Sequence, residues 1–200
     1  MDALVDRSLG QLLDQVADES PSPGGGSSCA LACALAAALV QMAAAFTLAR
    51  SEYAERHERM AALGARAGAL RADAVALAER ELHVYGAVLD ALRLPEDEPG
   101  RAERLDAALS DATDSPLAIA RTAAEVAELA AETASSGNRH LRGDAMAAAL
   151  IAEAACAAAA RLAELNLAGR PEDPRREEAS ELSRRGLDAR LAALSTTHEV

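Results

Sequence analysis

The sequence predicts an all-α fold, a bundle of about six to seven helices with long alanine-rich central helices. Half of the 200 residues are hydrophobic and alanine dominates that half, and alanine has the highest intrinsic helix propensity. Aromatic strand formers are rare, with one Phe, two Tyr and no Trp. The chain has no obvious linker and no repeat of fixed period, so residues 1–200 are predicted to form a single domain.

The first helix is predicted over about residues 3–18, with leucines and Val16 forming one apolar face. A Pro-Gly loop then ends it, because proline disfavours the helical conformation of the residue before it. The three glycines leave a bare backbone against which a small ligand could lie, although an ordinary helix connection is the alternative. This loop reads Pro21-Ser22-Pro23-Gly24-Gly25-Gly26-Ser27-Ser28.

The second helix is predicted to start near Ser27 or Ser28, which can cap it, and to run to about Leu48. Residues 29–49 carry no charge and reach the length of a membrane span. The larger apolar residues nevertheless form one stripe at intervals of three and four, and the remainder is mostly alanine, which contributes little to membrane insertion. We therefore predict a central bundle helix, with a membrane span as the alternative.

A long third helix is predicted over about residues 52–92, weakened by three glycines that allow a kink or break. Further along, Ser115-Pro116 predicts a helix start, because serine caps helices and proline suits the first helical position. Gly137-Asn138 predicts a helix stop. The helices of the C-terminal half are predicted over about residues 101–112, 116–135, 143–167 and 175–194.

Charge and residue usage exclude several functions. The net charge of −12 argues against nucleic-acid binding, which needs a basic surface. All 20 basic residues are arginines, so a Schiff-base lysine or a phosphate-loop lysine is excluded. The three cysteines predict reduced thiols, and the four scattered histidines form no zinc pattern with them. We expect a cytoplasmic protein with no signal peptide, no metal, no nucleic-acid partner and no membrane partner.

A second polar connection, over residues 135–144, brings together an amide, two guanidinium groups, an imidazole and a carboxylate. One interpretation is a glycine that ends a helix followed by an aspartate that caps the next. The other is a binding loop, since such groups concentrate on loops held by a rigid scaffold.

Five motifs, taken in order and spacing, carry a resemblance to a known family. The chain resembles the cyclodeaminase/cyclohydrolase family, which comprises the C-terminal domain of formiminotransferase-cyclodeaminase and the bacterial methenyltetrahydrofolate cyclohydrolases. The likeness extends from about Leu9 to the last helix. The motifs are Ser22-Pro23-Gly24-Gly25-Gly26-Ser27, Thr47-Leu48-Ala49-Arg50 with Tyr53, Ala91-Leu92-Arg93-Leu94-Pro95, Gly137-Asn138 with Asp144, and Asn166-Leu167.

The resemblance implies an all-α homodimer with a folate site near the dimer interface. It implies either closure of 5-formiminotetrahydrofolate with loss of ammonia or addition of water to methenyltetrahydrofolate, neither needing a metal or an organic cofactor. A formiminotransferase is a possible partner. The resemblance also implies roles for individual residues: Asp144 as the acid/base carboxylate, the loop Pro23, Gly24, Gly25, Gly26 and Ser27 against the folate, Asn138 and Asn166 as amide contacts, and Arg50, Arg104 and Arg139 for the glutamate carboxylates.

Some positions depart from the family pattern. Glu81 stands where the family carries an aspartate, and it is the second candidate for acid/base work. Glu96 replaces a lysine common in relatives, and Leu162 replaces an asparagine. These changes leave open an alternative function, a catalytically degenerate protein of the same fold that binds folate or regulates.

Overall fold

The computed structural model describes residues 4–20 and 22–195, and within them every regular element is a helix. The all-α prediction is therefore confirmed. Short 3₁₀ helices occur at Leu4–Asp6, Ser51–Arg56 and Arg139–Leu141. The α-helices are α1 (Leu9–Ala17), α2 (Gly25–Leu48), α3 (His57–Val84), α4 (Gly86–Leu92), α5 (Arg101–Ser136), α6 (Arg142–Asn166) and α7 (Arg175–Ser195).

The core forms where α2, α3, α5 and α6 meet, and α7 covers α5 and α6. Alanines make up most of the buried surface of these helices, which lets their backbones approach closely. Helices α2 and α6 run antiparallel. Gly25, at the start of α2, faces Leu162 near the end of α6, whereas Thr47, near the end of α2, binds Asn138 just before α6.

The prediction of two separate helices over residues 101–112 and 116–135 is wrong, because α5 continues without interruption through Pro116. Proline has no backbone N–H, so the carbonyl of Ala112 loses its usual partner within the helix. The side chain of Asn166 replaces that partner, since its Nδ2 donates to the Ala112 carbonyl over 3.1 Å. A contact from a distant helix thus satisfies the carbonyl that Pro116 leaves unpaired, and α5 continues through a residue at which the sequence predicts a helix start.

The N-terminal region also differs from its prediction. Helix α1 is shorter than predicted because Ser8 and Gln11 form a capping box that starts it at Leu9, while residue 3 lies outside the described residues. Its predicted apolar face is mostly open to solvent, with Leu9, Leu13 and Val16 all exposed.

The boundaries of the next two helices change as well. Helix α2 starts at Gly25, two residues before the predicted start, so the last two glycines of the loop belong to the helix. The predicted third helix divides into a 3₁₀ helix, α3 and α4, with the break at Tyr85.

Two stretches, Gly25–Leu48 and Arg139–Asn166, are long and apolar enough to cross a membrane by length and composition alone. In this structure α2 contacts α3, α5 and α6, as predicted for a central bundle helix. Both α2 and α6 also keep large apolar side chains exposed. Those on α2 are Leu35, 58% exposed, and Phe46, 53% exposed, and those on α6 are Leu150 and Leu165.

Candidate functional site

Apart from Arg104, the predicted site residues fall into two groups at opposite ends of α2 and α6. The loop at residues 23–27 lies at one end together with Glu81 and Asn166. Asn138, Arg139 and Asp144 lie at the other end, beside the last turn of α2 and Arg50. Helix α2 has 24 residues, so its ends are about 36 Å apart at the helical rise per residue. We call the two groups the glycine end and the asparagine end.

The glycine end is built around Glu81, whose carboxyl group presses against the backbone of Gly26. A Cβ atom placed on Gly26 would lie 2.5 Å from Cδ of Glu81 and would overlap its Oε2. Only glycine therefore leaves room for this carboxyl group in its present position. The neighbouring Gly25 is different, because a Cβ there would make an ordinary contact of 3.5 Å with Leu162.

The environment of Glu81 favours its protonated form. Its Oε1 is buried and has no hydrogen-bond partner among the described residues. Burial raises the pKa of Glu81 above its ordinary value, and the neighbouring hydroxyl of Ser115 acts in the opposite direction. The pKa of Cys29, one helical turn after Gly26, is also raised, first by burial and then by the charge of Glu81. This carboxyl group therefore keeps its proton to higher pH than an ordinary glutamate does.

Within the glycine loop, some predicted contacts are already occupied by the protein itself. The hydroxyl of Ser27 is buried and donates to the carbonyl of Ala78 on α3 over 3.0 Å. The hydroxyl of Ser28 donates to the carbonyl of Gly24 over 2.9 Å. The side chains of the loop therefore hold it against α3 and against itself, while the first backbone N–H groups of α2 have no partner within that helix.

Asn166 and Arg104 were both predicted to contact substrate. Asn166 is half-buried, and its Nδ2 is used by the Ala112 carbonyl, which leaves its Oδ1 for any other partner. Arg104 is exposed in the first turns of α5, before Ala112, and forms no ion pair with a described residue. The structure thus gives Asn166 a structural role that the sequence did not suggest.

At the asparagine end, the backbone is held by residues from two of the sequence motifs. The backbone N–H of Asn138 donates to Thr47 over 2.8 Å, and that of Arg139 donates to the hydroxyl of Tyr53 over 3.2 Å. Asn138 is buried, and its Oδ1 accepts from the N–H of His140 over 3.0 Å. The motif containing Thr47 and the motif containing Asn138 therefore form one unit.

The charged residues of the asparagine end are more open. Asp144 is half-buried in the first turn of α6, and its carboxylate makes no hydrogen bond or ion pair with a described residue. It does not cap the helix, because Leu141 occupies the cap position. Arg50 and Arg139 are exposed.

Two open spaces adjoin the glycine end. A cleft of about 690 Å³ runs between α1 and the loop and is lined by Gln11, Gln15, Ser22, Pro23 and His83. A second space of about 410 Å³ lies between α3 and α5 and reaches Ser115. Ser115 is the residue that sequence reasoning missed here, since Ser115-Pro116 was interpreted only as a helix start.

No group of three or more His, Cys, Asp or Glu side chains that could hold a metal ion occurs among residues 4–20 and 22–195. The fold and the two polar ends define a helical-bundle protein with a half-buried glutamate, Glu81, whose Oε1 has no hydrogen-bond partner among the described residues. The chain belongs to the formiminotransferase-cyclodeaminase family, whose model matches residues 8–183. The resemblance drawn from the sequence motifs is confirmed.

Individual relatives agree with this membership. A methenyltetrahydrofolate cyclohydrolase from Methylorubrum extorquens is 32% identical over 161 residues, which cover 78% of this chain and 77% of that protein. The formimidoyltransferase-cyclodeaminase of Rattus norvegicus is 29% identical over 151 residues, which cover 74% of this chain but 28% of that longer protein. The crystal structure of formiminotetrahydrofolate cyclodeaminase from Thermotoga maritima superimposes with a TM-score of 0.86 at 25% identity, covering 96% of both chains.

Proposed function

We propose that this protein is a folate one-carbon enzyme that acts on a one-carbon-substituted tetrahydrofolate. It acts either as a formiminotetrahydrofolate cyclodeaminase or as a methenyltetrahydrofolate cyclohydrolase. The names of its relatives support both activities. The observation that carries the proposal is the half-buried carboxyl group of Glu81, whose Oε1 is buried without a hydrogen-bond partner and whose Oε2 lies against the bare backbone of Gly26.

Both reactions require protons to move at the one-carbon centre. In the cyclodeaminase reaction, N10 attacks the formimino carbon and the bond from that carbon to the imino nitrogen breaks. The nitrogen leaves as ammonia with one proton from N10 and one that protonated Glu81 would donate. In the cyclohydrolase reaction, water adds to the methenyl carbon, so ionised Glu81 would accept a proton from that water. The bond from that carbon to N5 then breaks as the proton of the new hydroxyl passes to N5. A raised pKa increases the protonated share of Glu81 over that of an ordinary glutamate at the same pH, which favours its use in proton transfer. Neither reaction changes an oxidation state, and we propose that neither a metal nor an organic cofactor is needed.

Asp144, the first choice for the acid/base carboxylate from the sequence, lies too far from Glu81 to act on the same carbon within one chain. The 22 residues of α6 between Asp144 and Asn166 span about 33 Å. Asn166 lies at the glycine end, close to Ser115 along α5. A single protomer therefore cannot bring Asp144 and Glu81 to one bound folate.

We propose that a homodimer brings the two ends together. The exposed side chains of Leu35, Phe46 and Leu150 leave apolar surface on α2 and α6 between the two ends. A two-fold axis across the middle of α2 would cover this surface. Because the axis reverses the direction of α2, the asparagine end of one protomer would face the glycine end of its partner. Asp144, Asn138 and Arg139 would then act on a folate held against Glu81 of the other protomer.

The test is an ultraviolet assay of both reactions on purified protein, following the absorbance of the methenyl group. Glu81→Gln should lower turnover at least about 100-fold, the range expected when an acid/base group is lost. Glu103→Gln, which changes an exposed carboxylate on α5, is the matched control and should keep full turnover. Absence of turnover with both folates, or full turnover by Glu81→Gln, would overturn the proposal.

A second candidate function is a folate-binding protein that has lost catalysis. Leu162 favours it, because its apolar side chain contacts Gly25 at the position where the resemblance implies an asparagine. Folate would then raise the melting temperature without a change in methenyl absorbance.

We further propose that the protein acts in the cytoplasm and that a separate formiminotransferase supplies its substrate if it is a cyclodeaminase. The free cysteines Cys29, Cys33 and Cys156 suit a reducing compartment. The rat relative, named formimidoyltransferase-cyclodeaminase, is a much longer protein of which this chain spans 28%. Co-purification of a formiminotransferase with this protein would test the partnership.

A further inference from the structure

Ser115 differs from the other hydroxyl-bearing residues of α5. In helices, serine and threonine commonly donate to the carbonyl four residues earlier. Four residues of α5 do so, over distances between 2.6 and 3.0 Å, namely Thr113, Thr122, Thr133 and Ser136. Ser115 makes no such bond, and its Oγ is buried without a hydrogen-bond partner among the described residues.

The hydroxyl of Ser115 instead lies near the carboxyl group of Glu81, whose pKa it lowers against the opposing effect of burial. Ser115 is 3% exposed, and Oε1 of Glu81 is likewise buried without a partner. A buried polar atom that finds no partner is costly, so a pair of neighbouring orphaned oxygens on two different helices calls for an explanation. A side-chain movement that brings the two oxygens within hydrogen-bond distance would satisfy both atoms, and catalytic hydrogen bonds often tighten only when substrate binds.

We propose that Ser115 is a positioning residue for Glu81 in the reaction assigned above. A hydroxyl group both donates and accepts, so it bonds to the carboxyl group in either protonation state. Ser115 donates to the ionised carboxylate and accepts from the protonated acid. It thereby keeps one oxygen of Glu81 occupied and leaves Oε2, beside Gly26, as the oxygen that exchanges protons with the substrate.

Other titratable or charged groups lie near Glu81 and Ser115 and contribute to any effect of pH. Cys29 faces Glu81 from α2. Arg80 of α3 and Asp111 and Asp114 of α5 line the space that reaches Ser115. These groups stay in place when the serine hydroxyl is removed, so a change caused by Ser115→Ala reports on that hydroxyl.

The first experiment measures kcat/KM against pH for Ser115→Ala. Loss of a hydrogen bond to a charged group should lower kcat/KM about tenfold or more. It should also move the limb of the profile that reports Glu81 to higher pH, because the ionised carboxylate loses a donor. Thr113→Val is the matched control, since it removes a buried hydroxyl of the same helix that bonds only to the Leu109 carbonyl. An unchanged limb in Ser115→Ala, or an equal shift in Thr113→Val, would overturn the proposal.

The second experiment does not depend on turnover, so failure of the proposed function and failure of this inference are distinguishable. The effect of Ser115→Ala on the free energy of unfolding is measured in the wild-type protein and in Glu81→Gln at several pH values. The coupling between the two residues is the difference between the effects of Ser115→Ala in the two backgrounds. We expect this coupling to change with pH as Glu81 titrates, because the proposed role of Ser115 brings the two groups into contact. Coupling that is zero at every pH contradicts the inference, even if the enzyme is active.

Discussion

Replacing Gly26 by alanine should separate catalysis from folding at the glycine end. The new Cβ would lie 2.5 Å from Cδ of Glu81, whereas ordinary contacts begin at 3.4 Å. The carboxyl carbon must therefore move by about 1 Å, and a misplacement of that size costs on the order of 100-fold in rate. Stability should be unchanged or slightly higher, because the displaced group is the end of a flexible side chain and alanine suits a helix better than glycine.

The neighbouring Gly25→Ala variant is the matched control for this experiment. It makes the same chemical change in the first turn of α2, but its Cβ meets Leu162 at an ordinary 3.5 Å. Turnover is measured by methenyl absorbance, and the free energy of unfolding is measured in urea for both variants. Gly25→Ala should keep most of its turnover. Equal loss in the two variants, or full turnover in Gly26→Ala, would refute the reasoning about Glu81.

Three further predictions concern the contact of Asn166 with α5, the titration of Glu81 and the proposed dimer interface. Asn166→Ala should cost about 1–3 kcal/mol of unfolding free energy, measured in urea, because it leaves the buried carbonyl of Ala112 unpaired. The cost should be smaller in a Pro116→Ala background, where the backbone N–H of residue 116 is restored. Equal costs in the two backgrounds would contradict this account. Burial raises the pKa of Glu81, so the folded state binds its proton more tightly than the unfolded state does. The unfolding free energy of the wild type relative to Glu81→Gln should therefore fall as pH rises from the ordinary pKa of 4.5 through the raised one. A difference that does not change with pH would be evidence against a raised pKa. Leu35→Glu should convert the proposed dimer to a monomer in sedimentation analysis and should reduce turnover. Leu9→Glu, on the exposed face of α1, should do neither. A monomeric wild type would exclude the proposed interface.

Much of the fold could be predicted because helix formation depends on local composition. Alanine content and helical spacing located α2, α6 and α7 to within a few residues. The prediction was wrong at Pro116, because a proline inside a helix is tolerated when a distant group satisfies the freed carbonyl. That group, Asn166, lies 50 residues away along the chain, and no local pattern indicates the contact.

The candidate site was predictable in composition but not in arrangement. The glycine loop, Asn138, Asp144 and Asn166 were found as ordered motifs, and the grouping of Thr47 with Asn138 appeared only in the contacts between helices. The proximity of Ser115 to Glu81 had no sequence signal, since Ser115 resembled an ordinary helix cap.

By itself the sequence determined the helical class of this protein, its family and the chemical groups available to it. Those properties depend on propensities and on the order of short motifs, both of which are local. Only the tertiary structure decided that Gly26 and Glu81 are in contact and that Asp144 lies at the far end of α6. The physical reason is that the antiparallel packing of long helices separates the ends of each helix by tens of ångströms while bringing residues remote in sequence together.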